Sequence, residues 1–340
     1  MKTLLNILKV IFIFILCLIM VPRIYYYIFA YKDLIFSFGA KKGLEGKIVY
    51  SLLTLSDINV KTIDFYSGKK LNIYTSVPRG QEGYPGYIDS LSFSQDGRKI
   101  VFSKLGKSEG NRRFKLYIIN SDGTDIKELL DLEGMNLKDP SWSPDGKKVA
   151  FIVQKPYDKG SLYVTHIDKP YSFLKKISDI RPAIYKPMWS PDGQEISFIS
   201  DEYIRKQINA TWRSETFNGK VFIINSDGTG LRQSKAKKPV SWSPDGKLLL
   251  YRGKDGYYIS NENESQSYLI IPYKRAPLSF LVGDPSFAVW SPDGKYIAYV
   301  KEIWPGGAGL GIYVVSLNNP TKEIQISSEI YGVTDMVWVK

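Results

Sequence analysis

Residues 46–340 of this chain are predicted to be all-β: a six-bladed β-propeller with four-stranded blades, closed by the C-terminal strand and preceded by an N-terminal membrane helix. Three features predict it. A strand, tight turn and strand recur as one phrase in five copies; some copies carry a second hairpin signature; and the last strand supplies what the first repeat lacks.

The phrase is clearest from Val289 to Val300, Val-Trp-Ser-Pro-Asp-Gly-Lys-Tyr-Ile-Ala-Tyr-Val. Ser291 and Pro292 suit the opening of a type I turn, Asp293 tolerates the bridge region, and Gly294 takes the left-handed conformation that closes a bulged hairpin. After it, Tyr296, Ala298 and Val300 alternate with Lys295, Ile297 and Tyr299, a period of two with both faces largely apolar, as in a strand buried between stacked sheets.

Equivalent turns are centred on Asp96, Asp145, Asp192 and Asp245. Their spacing of roughly 50 residues lies near that of four-stranded propeller blades. The second signature, Asn-Ser-Asp-Gly-Thr, occurs at Asn120–Thr124 and Asn225–Thr229, and two hairpins per repeat make one blade. The first blade, with strands expected at 47–52, 60–66 and 71–75, has no Trp-Ser-Pro-Asp-Gly strand. The chain ends on Asp335-Met336-Val337-Trp338-Val339-Lys340, which is that strand without its turn and is expected to close the ring.

The segments Trp-Ser-Pro-Asp-Gly-Lys-Lys-Val-Ala-Phe (142–151) and Tyr-Ile-Ile-Asn-Ser-Asp-Gly-Thr (117–124) resemble the TolB-type, WD-repeat-like propeller repeat, which also forms the non-catalytic propellers of prolyl-oligopeptidase-like and dipeptidyl peptidase IV-like enzymes. The resemblance covers roughly residues 46 to 340. It implies the fold; as to function it is weaker, because this architecture hosts binding proteins, lyases and peptidase gates. TolB-like proteins carry an α/β domain before the propeller, whereas here the expectation is an anchor (1–31) and a linker (32–45) only.

The anchor reading rests on Val10–Val21, an unbroken apolar run that extends back to Leu4 with only Asn6 and Lys9 intervening, about the length that crosses a bilayer. Pro22 and Arg23 then precede the aromatic patch Ile24–Phe29, of the kind found at a membrane interface. Membrane contact is therefore assigned to residues 4–30. A cleaved signal is the alternative, disfavoured because Val21-Pro22-Arg23 offers no small residues. Lysines flank both sides of the run, so charge alone does not choose its orientation. An extracytoplasmic propeller is favoured because long domains translocate largely regardless of charge and the resembled repeats are frequent in envelope proteins. Cys17 is the only cysteine and so cannot form an intrachain disulfide; it lies inside the run, where the preceding Phe14-Ile15-Leu16 lacks the small residue a lipoprotein site would want.

The balance of 46 Lys plus Arg against 34 Asp plus Glu, a formal charge of +12, favours polyanions such as anionic lipid or envelope polymer. Nucleic acid is disfavoured, since no basic run or recognised motif accompanies the charge. The turn Asp residues form no Asp-x-Asp-x-Asp-Gly loop and His166 is the sole histidine, so neither a metal site nor a cofactor is expected. No Gly-x-Ser-x-Gly elbow is present, and the expected activity is binding without catalysis. The alternative is a polysaccharide lyase with Arg, Lys or Tyr as base, or the accessory propeller of a hydrolase system acting on an envelope polymer.

If both Asp-Gly hairpins of a blade share one rim, the longer loops share the other, where Tyr, Trp and Arg make good contact residues. The binding residues expected there are Arg112, Arg113, Tyr157, Arg181, Tyr185, Lys186, Tyr203, Arg205, Trp212, Arg213, Lys238 and Trp304. Four and three positions before each inner-strand aromatic stand residues such as Asp89 and Ser90, Lys138 and Asp139, or Thr334 and Asp335. They predict a mixed-charge collar at the channel mouth that receives a peptide terminus or a charged side chain. The expected partner is another envelope protein or a peptide.

Overall fold

Each repeat folds into one four-stranded antiparallel sheet, and the six sheets follow chain order except at the closure. The computed structural model describes residues 44–53, 58–65, 70–75, 88–106, 113–155, 160–178, 184–200, 220–234, 239–253, 255–261, 265–272, 288–302, 310–329 and 333–340. The span expected over residues 4–30 lies outside these, as does the linker as far as Gly43. Among the described residues no helix is long and apolar enough to cross a membrane.

Blade 1 begins with β1 (Lys47–Leu53), β2 (Ile58–Asp64) and β3 (Lys70–Thr75). Blade 2 holds β4 (Ile88–Phe93), β5 (Lys99–Gly106), β6 (Arg113–Asn120) and β7 (Lys127–Leu130), and blade 3 holds β8 (Asn136–Trp142), β9 (Lys148–Gln154), β10 (Ser161–His166) and β11 (Lys175–Ser178). Blade 4 holds β12 (Ile184–Trp189), β13 (Glu195–Ser200), β14 (Lys220–Asn225) and β15 (Arg232–Gln233). Blade 5 holds β16 (Pro239–Trp242), β17 (Leu249–Arg252), β18 (Gly256–Ser260) and β19 (Ser267–Pro272), and blade 6 holds β20 (Ala288–Trp290), β21 (Tyr296–Glu302), β22 (Leu310–Ser316) and β23 (Asn319–Glu329). The final strand, β24 (Val333–Val339), returns to pair with β1 and becomes the inner strand of blade 1.

The expected closure is therefore present, with Lys47 opposite Val339 and Ile48 opposite Trp338. Where other blades have a turn, blade 1 has the two ends of the propeller. Gly46 makes this junction possible: its φ is +83°, and a Cβ there would stand 2.1 Å from the Val339 carbonyl oxygen.

The turn is built as its residues dictate. In blade 6, the Gly294 amide donates to the Ser291 carbonyl at 2.9 Å, the Ser291 hydroxyl donates to Asp293 Oδ1 at 2.6 Å, and that oxygen accepts from the Lys295 amide at 3.1 Å. The Tyr296 amide donates back to Ser291 Oγ at 2.9 Å. Ser94, Ser143, Ser190 and Ser243 repeat the serine-to-carboxylate bond at 2.5–2.6 Å. The second hairpins close as expected, Asn120 and Asn225 each donating their side-chain amide to the threonine four residues on. Both turns of a blade lie on one rim, because the amides of Ser121, Ile167, Ser226 and Leu317 donate to the carbonyls of Arg98, Lys147, Gln194 and Lys295.

Buried clusters lie along the seams between blades. Between blades 2 and 3, Val101, Leu116 and Ile118 meet Trp142, Val149 and Phe151; the next seam sets Ala150, Ile152 and Leu162 against Trp189, Ile196 and Phe198. The aliphatic face of one blade thus receives the aromatic face of the following one. Trp142 and Trp189 donate their indole N–H to the Ser92 and Ser141 carbonyls of the preceding inner strand, at 3.0 and 3.1 Å. A Trp at this position is a spacer whose ring fills the seam between blades; Trp142 and Trp189 also satisfy their polar edge on the preceding strand, whereas the buried indole N–H groups of Trp242 and Trp290 have no hydrogen-bond partner among the described residues.

Candidate functional site

Inner strands run from the loop rim toward the turn rim, so their first residues surround the channel mouth. There the pairing is irregular in blade after blade. The ladder with the second strand slips between Ile88 and Ser90, between Lys138 and Ser141, between Tyr185 and Met188, and between Pro239 and Ser241; in blade 1, Leu52 pairs with Val333 and Ser51 with Asp335, leaving Thr334 out. Each slip is a β-bulge, which frees backbone groups and re-aims side chains. Pro140 and Pro187 fall inside bulges, where no ladder N–H is required of them.

The bulges bring the expected collar residues of blades 2 and 3 together. Lys138 Nζ lies 3.5 Å from Asp89 Oδ1, with both side chains about a quarter exposed, and 4.7 Å from the centre of the Phe114 ring. The Asp139 amide donates to Ser90 Oγ at 2.9 Å. Asp139 has a φ of +48°, a left-handed conformation that costs an L-residue roughly 1–2 kcal/mol. Asp139→Val is therefore expected to be less stable than Asp139→Gly by at least about 1–2 kcal/mol, measured by urea denaturation; both lose the carboxylate, so the difference isolates the backbone. In the neighbouring blade 1, Asp335 Oδ1 accepts from the Met336 amide at 2.8 Å.

Partly exposed pairs such as Asp89 with Lys138 contribute at most about 1 kcal/mol. A ligand ammonium or carboxylate can exchange with either partner at little cost. The collar is thus chemically suited to charged chain ends or side chains, with an aromatic face beside the cation.

Other expected residues are placed differently. Arg113 is not a free rim cation: its Nε and one terminal nitrogen fork onto the two oxygens of Asp131, both at 2.9 Å, and Lys115 reaches the same carboxylate at 2.7 Å. The Arg113 bond, and then Lys115, hold the Asp131 carboxyl below the usual range even against its partial burial. This fork clamps the start of β6 to the end of β7. Tyr185 and Lys186 stand on β12 at its bulge. Arg112, Tyr157, Arg181, Tyr203, Arg205, Trp212, Arg213, Lys238 and Trp304 lie outside the described residues.

A repeated feature was not anticipated. Phe102, Phe151, Phe198, Tyr251 and Tyr299 pair across the second and third strands with Tyr117, Tyr163, Phe222, Tyr258 and Tyr313, ring centroids 5.3–6.2 Å apart. The signal was available, since each of the first set stands six positions after its turn Asp. In blade 6 the pair joins a polar cluster: Tyr299 donates to Glu323 at 2.6 Å, and Lys301 meets the same carboxylate at 2.6 Å. Burial, then the bond to Glu323, push the Tyr299 phenol far above its ordinary value, the wrong direction for a general base. Among the described residues there is no group of three or more His, Cys, Asp or Glu side chains that could hold a metal ion.

A closed ring of six four-stranded sheets, tight turns on one rim and a bulged collar on the other, defines a six-bladed β-propeller. Residues 87–323 match the TolB beta propeller domain family, and the chain belongs to that family. It is 24% identical over 261 residues to dipeptidyl-peptidase 5 of Porphyromonas gingivalis, the match covering 63% of this chain and 37% of that protein. It is 27% identical over 171 residues to the Tol-Pal system protein TolB of Wigglesworthia glossinidia brevipalpis, covering 41% of this chain and 38% of that protein. The matches thus span little more than a third of either relative. Among solved structures, TolB from Acinetobacter baumannii superposes with a TM-score of 0.62 at 18% identity, over 86% of this chain and 66% of that one. At that identity the likeness is one of fold.

Proposed function

We propose that this chain is a binding scaffold of the cell envelope, without catalysis of its own, held at the membrane through residues 4–30 with the propeller on the extracytoplasmic side. Another envelope protein, or a peptide from one, docks at the collar. The observation that carries this reading is the recurrence of bulges at the inner-strand starts, which line one mouth of a rigid ring with the exchangeable Asp89 and Lys138 pair and the strained Asp139. The apolar run at the start of the sequence supports the tether, and membership of the TolB propeller family supports a platform for partners.

The test is a photo-crosslinking residue placed at Asp89 in the full chain, with mass spectrometry of adducts from native membranes. One dominant envelope protein is expected, with its yield reduced several-fold by Lys138→Glu; adducts unchanged by that substitution would overturn the collar as the site. A lyase reading has one observation in its favour, the half-buried Lys104, whose amine burial pulls below its ordinary value and which lies 5.8 Å from the Tyr117 ring centre. Release of unsaturated sugar from an acidic polysaccharide by purified protein, lost in Lys104→Met, would favour it.

A further inference from the structure

Lys104 and Lys301 stand at the same place in blades 2 and 6, eight positions after the turn aspartates Asp96 and Asp293. Each amine lies over the tyrosine of its third strand, Lys104 at 5.8 Å from the Tyr117 ring centre and Lys301 at 4.9 Å from that of Tyr313. Their anions differ. Lys301 holds one oxygen of Glu323 at 2.6 Å, while the Tyr299 hydroxyl donates to the other at 2.6 Å. In blade 2 the residue matching Tyr299 is Phe102, which has no hydroxyl, and the outer-strand carboxylate Glu128 is drawn to Lys115 at 3.1 Å. Lys104 pairs with no carboxylate of the described residues, and burial pulls its amine below the ordinary value.

The opposite wall of the seam supplies the hydroxyl that Phe102 lacks. Lys104 follows Phe102 by two positions and shares its face, which is turned toward blade 1. From blade 1, Val49 packs in one cluster with Phe102 and Tyr117, and Thr62 is the residue paired with Val49, so its side chain stands on that same wall. Thr62 is 4% exposed, and its hydroxyl has no hydrogen-bond partner. A buried hydroxyl left so is a cost to the fold unless something pairs with it.

The repeat shows that these two positions meet. Thr62 corresponds to Ile118 and Ile259, which pair with Val101 and Leu250 as Thr62 does with Val49. Between blades 2 and 3, Ile118 packs in one cluster with Val153, the residue eight positions after Asp145. Between blades 5 and 6, Ile259 packs with Tyr299 and Tyr313, beside the internal Glu323. Between blades 1 and 2 the same two positions are a hydroxyl and a cation.

We propose that the seam between blades 1 and 2 binds the carboxylate of a small ligand, a sugar acid or an acidic amino acid, with Lys104 as counter-ion, Thr62 as hydroxyl donor and the Tyr117 ring as wall. The arrangement is that of Glu323 in blade 6, with the acid supplied from outside. It depends neither on the collar as a docking site nor on the membrane tether.

The test uses the full chain in non-ionic detergent, its lysines reductively methylated with carbon-13 and the Lys104 signal identified by its loss in Lys104→Arg. Glucuronate and N-acetylglutamate amide are titrated in turn, with glucose as the uncharged control. At least one acid is expected to shift the Lys104 signal saturably and to raise its pH midpoint, because an anion favours the charged amine. The acid that saturates at the lower concentration tells a sugar source from an amino-acid source. Thr62→Val is expected to weaken binding several-fold with the other lysine signals unchanged, and Thr62→Ser, which keeps the hydroxyl, to restore it. Shifts that never saturate with either acid, or equal affinity in parent, Thr62→Val and Thr62→Ser, would overturn the site.

Discussion

Deleting residues 333–340 is expected to abolish the folded propeller, although it removes only one strand. β1 would lose the partner that pairs it from Lys47 to Leu52, and the ring would open with an unpaired edge exposed in its first blade. Two seams would fail together. Met336 and Trp338 pack in the cluster that joins blade 6 to blade 1, and Val339 packs in the one that joins blade 1 to blade 2. The Trp338 ring lies 5.3 Å from Phe65 and 6.3 Å from Tyr296, and its indole donates to the Glu45 carbonyl at 2.9 Å. The graded version is Trp338→Ala, for which truncation of a buried aromatic gives an expected loss of about 3–5 kcal/mol by urea denaturation. The deletion should elute as aggregate in size-exclusion chromatography and lack near-ultraviolet circular dichroism. A monomeric deletion variant that unfolds cooperatively near the parent temperature would contradict the closure argument.

What the sequence disclosed follows from how local each determinant is. The Ser-Pro-Asp-Gly turn is specified by its own residues: Gly294 supplies φ of +71°, and Ser291 and Asp293 bond to the backbone within five positions. Repetition of that unit fixed the blade count, and the orphan strand around Trp338 fixed the closure. The aromatic pairs were half visible, because the second-strand members recur at a constant offset, whereas their partners depend on hairpin register across loops of unequal length. The pairing of Arg113 with Asp131 is illegible in the sequence for a related reason. Asp131 lies beyond an entire hairpin, and no pattern in the intervening residues marks the two as neighbours. The bulges are not legible, since a slip in pairing belongs to two strands at once; Pro140, Pro187 and Pro239, which stand at three of the slips, are the traces they leave in the sequence.

Acid is expected to unfold this protein through its turns. Asp96, Asp145 and Asp293 are partly buried, which raises a carboxyl pKa, yet the bonds from their serines and from following amides or lysines outweigh this and hold each below its ordinary value. In Asp192 and Asp245 the serine bond leads, and in Asp122 and Asp227 the threonine bond does. A carboxylate with a depressed folded pKa contributes stability that is complete above the unfolded value of about 3.9 and is lost as pH falls through the folded values. Between those limits the unfolded chain binds more protons than the folded one, so stability must rise with pH there. The expected melting temperature is level from neutrality down to about pH 5 and then falls steeply below about pH 4, because blades 2 to 6 all contribute to the same limb. Replacing the five Ser-x-Asp carboxylates by Asn should lower stability at pH 7 and flatten the acid limb, so that the two proteins converge as pH falls through the folded values. Parallel melting curves for parent and variant across that range would show that the turn carboxylates do not govern acid stability.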